Sequence, residues 1–144
     1  MRVTVDTNVL ISALLFEGKP AQILELAQEG KLDVVLPPFI LGELEHVLHD
    51  KFGFSEANAR DARLQLEVFA EVIDPKGLKL QIIRRKDSDN RILECAIAGK
   101  VEILITVNMR DLRPLGSFKG IPILTPNEFL SRFGSHLGLQ RTEK

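Results

Sequence analysis

Tryptophan and tyrosine are absent from this 144-residue chain, and eight phenylalanines bring the aromatic share to only 6%. Proteins that hold unpaired bases do so largely by stacking them on aromatic rings, so few such platforms exist here and no base preference can be read. Cysteine occurs once, at Cys95, which rules out an internal disulfide. Cys95 sits in a helical apolar pattern away from any histidine or second cysteine, the setting of a small buried core side chain. No apolar run approaches the roughly 20 residues of a membrane-spanning helix. The opening MRVTVDTNVLISALL lacks a cleavage-site pattern after a charged segment, so a cytoplasmic protein without membrane contact is expected. Neither sign of charge dominates: 19 Lys and Arg stand against 20 Asp and Glu, for a formal net charge of -1. Bulk charge therefore offers no general attraction to nucleic acid, and any such affinity must come from local basic patches or bound metal.

What is present suits one globular domain, with 44% hydrophobic and 27% charged residues. Residues 1–134 are expected to form it, with 135–144 a flexible tail. Arg2 to Val5 reads as a strand, and Pro20 to Gln28 as a helix with Ala21, Leu24 and Ala27 at helical spacing, closed by Gly30. Leu32 to Leu36 is a second strand. After Pro37-Pro38, the stripe Ile40, Leu44, Val47, Leu48 marks a helix, and Ser55 opens another running to Ala70. A short strand near Glu71 to Ile73, a helix over Asp87 to Gly99, and strands at Val101 to Thr106 and Ile121 to Leu124 follow. Thr125-Pro126-Asn127-Glu128 announces the last helix, with an N-cap, proline in the first turn and glutamate three residues after the cap. Strands separated by helical crossovers pair in parallel, so the expected fold is a three-layer α/β/α sandwich around a mostly parallel sheet of about five strands.

In such sheets ligands bind beyond the carboxyl ends of the strands. Asp6 follows the first strand directly, and Asn108 and Asp111 follow the VEILIT strand, so the two ends meet only if those strands are neighbours. Asp89 lies three residues before Ile92 and seven before Ala96, on the buried stripe of its helix, although a capping role also suits a first-turn aspartate. Glu43 and Glu45 fall on opposite borders of one stripe, and helical geometry does not choose between them. Carboxylates crowded together repel and raise one another's pKa, whereas a hard divalent cation is bound by oxygen and relieves that repulsion. Mg2+ is the natural candidate, because it retains waters and neutralises charge developing on a phosphate.

VDTNVLISALL, GELEHVL, DSDNRILECAIAGKVEILIT and NMRDL together resemble a PIN domain, over Arg2 to about Phe133. The nearest likeness is to the VapC-like toxins of toxin-antitoxin pairs, which cleave RNA. The resemblance implies an endoribonuclease using Mg2+ or Mn2+, a cognate antitoxin, and homodimerisation. It makes Asp6, Glu43 and Asp89 the primary metal ligands and catalytic acids. The fourth position, an aspartate in many members, is Asn108 here, an uncharged and weaker metal ligand through its amide oxygen, and Asp111 follows closely enough to serve as a further catalytic acid and metal ligand through a metal-bound water. Thr7, Asn8 and Thr106 are supporting: they orient an acid or a water, or simply bond the local backbone. Arg84, Arg85, Lys86, Arg110 and Arg113 are candidates for flanking RNA phosphates, against the plainer reading of solvated charge.

Two other functions compete. Asn108 at an acid position fits a catalytically weak module that binds RNA or a protein. An aspartate after the first strand also begins the haloacid-dehalogenase pattern, but Asp6-Thr7-Asn8 lacks the second aspartate of that motif.

Overall fold

The computed structural model describes residues 1–75 and 87–138. In chain order the elements are β1 (Arg2–Val5), α1 (Thr7–Leu15), α2 (Lys19–Gln28), β2 (Asp33–Leu36), α3 (Pro38–Phe52), α4 (Glu56–Phe69) and β3 (Glu71–Val72). They continue with α5 (Asp87–Ala98), β4 (Ile103–Ile105), a 3-10 turn at Arg113–Leu115, β5 (Ser117–Phe118), β6 (Ile121–Leu124) and α6 (Pro126–Phe133). The six strands form one sheet in the order β3-β2-β1-β4-β6-β5. All pairings are parallel except β5 with β6, so β5 raises the strand number from the expected five to six.

The central strands are buried on both faces, as parallel sheets require. Val3, Val5, Val34, Leu36, Ile103, Ile105 and Leu124 face α1, α2, α3 and α6, with α4 backing α3. Val35, Leu104 and Ile123 face the other way, onto Ile92, Leu93, Cys95 and Ala96 of α5. Cys95 is free, and burial pushes its thiol pKa up to about 12, which leaves it a core side chain. Gly99, just after α5, comes so close to β2 that a Cβ there would sit 2.8 Å from Val35 Cγ1. Arg2 ties this corner together, donating to the Gly99 carbonyl at 2.9 Å and pairing with Glu71 of β3 at 2.8 Å.

The sequence pattern gives no element between Val5 and Pro20, yet α1 fills most of that stretch. Val9, Leu10 and Ile11 are buried in succession, and only Asn8 and Ser12 mark an outer face, which is too little polar contrast to betray a helical period. Elsewhere the local chemistry sets the boundaries. Ser55 Oγ accepts from Asn58 N at 3.0 Å to start α4, and Gly53, at φ 73°, ends α3 in a left-handed conformation. Thr125 and Glu128 form a reciprocal capping box on α6. Beyond α6, residues 135–138 turn back so that Leu137 packs on the core, while 139–144 lie outside the described residues. No described helix is long and apolar enough to cross a membrane.

Candidate active site

Because β1 and β4 are parallel neighbours with Val5 opposite Ile105, their carboxyl ends lie side by side. The chain proceeds from β1 toward β2 and β3 on one side and returns to β4 on the other, so this is the point where the strand order reverses. A cleft of about 370 Å3 opens there, lined by Asp6, Thr7 and Asn8 from the end of β1 and the start of α1. Ile40, Glu43, Val47 and Lys51 line it from α3, Asp89 from α5, and Asn108 and Asp111 from the loop after β4.

Asp6 serves two purposes. Its Oδ1 caps α1 by accepting from Val9 N at 3.0 Å, and its Oδ2 accepts the Thr106 hydroxyl. Only 7% of Asp6 is exposed, and burial raises its pKa. The Thr106 hydroxyl and the amides of Val9, Val107 and Asn108 oppose that rise without cancelling it. Thr7 donates its hydroxyl to Glu43 Oε1 in the same way, so both threonine hydroxyls fix carboxylates.

The choice between Glu43 and Glu45 is made by their partners. Glu43 faces the cleft, whereas Glu45 meets Arg63 of α4 at 3.4 Å. Asp89, in the first turn of α5, accepts from Asn108 Nδ2 at 3.2 Å. That same amide nitrogen lies 3.5 Å from Asp111 Oδ2. Asn108 Oδ1 is turned away from the acids, accepting from the backbone amides of Arg110 at 3.0 Å and Asp111 at 2.9 Å. Two fixed backbone donors determine which end of the amide is oxygen. Asn108 thus presents N–H groups to two carboxylates, and its oxygen holds the loop that carries Asp111.

The basic candidates divide. Arg113 forms a two-pronged ion pair with Glu128, both contacts at 2.8 Å, and does not line the cleft. Arg110 is exposed, also outside the lining, and Arg84, Arg85 and Lys86 lie outside the described residues. Lys51 lines the cleft but escaped the sequence reading. Its signal was available, four residues beyond Val47 and eight beyond Glu43 on one helix.

A hard divalent cation suits this donor set by chemistry: among the described residues four carboxylates and one lysine line the cleft, and burial already disfavours the charge on Asp6. Among the described residues no three His, Cys, Asp or Glu side chains form a preformed metal group, so the acids surround the cleft without being drawn tight. Asp6, Glu43, Asp89 and Asp111 are the side chains that would hold an ion.

Fold and cleft together define a class: an α/β domain that gathers acids at the switch point of a parallel sheet, a donor set suited to a divalent cation. The PIN domain pattern matches residues 2–110, well over half the chain, and the chain belongs to the PIN domain family. Asp6, Glu43, Asp89 and Asn108 fall inside that match, and Asp111 stands one residue past its end. PIN domains are generally metal-dependent nucleases acting on RNA or DNA. No curated protein matches the chain.

Proposed function

We propose that this chain is an endoribonuclease that hydrolyses RNA phosphodiester bonds with Mg2+ or Mn2+, and that it is the VapC-like toxin of a toxin-antitoxin pair. The supporting observation is that acids from four separate segments line one cleft at the carboxyl end of β1 and β4. A bound ion would supply an activated water and offset the charge that builds on the phosphate. Asp6, Glu43 and Asp89 hold it, and Asp111 adds charge from the side. Thr106 and Thr7 keep two of the carboxylates in fixed orientations. Asn108 places the other two.

RNA as substrate, a cognate antitoxin and a homodimer rest on the likeness of the VDTNVLISALL and DSDNRILECAIAGKVEILIT segments to those toxins, and a cytoplasmic setting goes with that role. A single working domain over residues 1–134 fits the length and composition.

The purified protein should cut RNA in Mg2+ or Mn2+, stop in EDTA, lose activity on Asp6→Asn and Asp89→Asn, and keep it on Glu45→Gln. Full activity in both aspartate variants would overturn the proposal. A short DNA-binding partner encoded in the adjacent reading frame would support the toxin role. A second reading draws on Asn108, whose amide occupies the space between Asp89 and Asp111: a module that binds RNA and cleaves weakly. Tight RNA binding without metal-stimulated cleavage would favour it.

A further inference from the structure

Ile40, Glu43, Val47 and Lys51 follow one another along α3 at intervals of three and four residues, and all four line the cleft. That spacing puts them on one helical face, which reads apolar, acidic, apolar, basic from its start to its end. Glu43 and Lys51 are eight residues apart, so about 12 Å separates them along the helix axis. Lys51 is exposed, and it makes no hydrogen bond or ion pair among the described residues. Nearby arginines differ: Arg63 is engaged by Glu45 and Glu67, and Arg113 by Glu128. Among the described residues Lys51 is thus a cleft cation without a partner.

A cleft dominated by carboxylates repels a polyanion. An ion held by Asp6, Glu43 and Asp89 would offset this only at the Glu43 end, and a strand anchored at that end alone would be free to pivot. A second charged contact further along fixes direction and register. The carbonyl end of α3 carries partial negative charge, which a lysine in its last turn offsets.

We infer that Lys51 binds a phosphate of the nucleic-acid strand next to the one being cut, so that the strand runs along α3 from Glu43 toward Lys51, across the apolar surface of Val47. This rests on the nuclease reading above.

The test uses the full chain. Cleavage kinetics on an RNA oligonucleotide with Mn2+ are paired with anisotropy binding of the same labelled oligonucleotide in EDTA over a range of NaCl. Lys51→Gln should raise KM roughly fivefold to tenfold, with the smaller effect on kcat, and should make the slope of log affinity against log salt shallower by about 0.7. Lys51→Arg should restore both. Lys19→Gln, the same charge change on α2, should leave the slope at its wild-type value. Wild-type KM and slope in Lys51→Gln would overturn the inference while leaving the nuclease reading intact, and so would equal losses from Lys19→Gln. If the wild type binds RNA without cutting it, the salt slope still decides. If it neither binds nor cuts RNA or DNA, the nuclease reading falls and this inference with it.

Discussion

Asn108 uses every polar atom it has. Its backbone N donates to Thr106 Oγ1 at 2.8 Å, its carbonyl accepts from Arg113 N at 2.9 Å, and its side chain joins the loop at one end and two acids at the other. Asn108→Asp would keep one oxygen for the loop amides and place a second carboxylate oxygen between Asp89 and Asp111. Without metal this is like-charge repulsion; with metal it is an added ligand. The variant should melt lower in EDTA and bind Mn2+ about tenfold tighter, as thermal melts and calorimetry would show. An unchanged Mn2+ affinity would remove the amide from the position argued for it. Thr106 is the other linking residue, donating to Asp6 and accepting from Asn108. Thr106→Val leaves the buried Asp6 short of a donor, and should cost about 1–3 kcal/mol of stability and roughly 10- to 100-fold in metal affinity. Denaturant unfolding and a metal titration would measure the two losses separately. These roles were not readable from sequence. Nor does the helical stripe, which Glu43 and Glu45 both border, separate those two; the family resemblance names Glu43, and in the structure Glu45 is met by Arg63, on a different helix.

The elements that announce themselves are those with local chemistry at their ends. The Thr125 capping box is visible as four consecutive letters, and the structure adds a long-range partner that no pattern could supply, Arg113. The Arg113 guanidinium first, then the Thr125 amide, pull the Glu128 pKa from its ordinary 4.5 down to about 2. A depressed carboxylate stabilises fully above its unfolded pKa and loses that contribution as pH falls through the folded one. The stability gap between wild type and Glu128→Gln should therefore be constant above about pH 4.5 and close between there and about pH 2. An acid-unfolding series on both proteins would show it; a gap that widens on acidification would contradict the pairing. By contrast α1 was hidden because its run of apolar residues is broken only by Asn8 and Ser12, so its faces differ little. The end of α5 depends on contact of a different kind. At Gly99 a methyl group would press on Val35 Cγ1 and, at 3.0 Å, on the Cys95 carbonyl. Gly99→Ala should destabilise by about 1–3 kcal/mol, and by less when Val35 is also alanine.

For the molecule as a whole, alternating strands and helices were enough to indicate a three-layer α/β/α arrangement, and the placement of Asp6 after β1 was enough to point at a strand-end site. Strand order was not readable, since pairing of β1 with β4 is decided by about 100 intervening residues finding their layers. Neither was β5, whose two residues are too short to carry a period. The site that results has a consequence for global stability. Burial disfavours charge on Asp6, and the cleft brings Glu43, Asp89 and Asp111 around it, so without an ion the folded state carries unfavourable electrostatics. Asp6→Asn removes one of those charges and keeps the cap of α1, because asparagine is an equally good N-cap: its one oxygen takes the Val9 N–H, and its Nδ2 then meets Thr106 Oγ1 as a donor. In EDTA this variant should therefore melt above the wild type. Saturating Mn2+ should reverse the order: at 100 times its Kd an ion adds about 2.7 kcal/mol to a protein that binds it, and a chain of this size answers with roughly 5–10 °C in Tm. Wild type should gain that shift and Asp6→Asn should lose most of it, so the two melting curves exchange places between the metal-free and metal-loaded states. If Asp6→Asn is the less stable protein under both conditions, Asp6 is chiefly the cap of α1, and the metal must be held elsewhere.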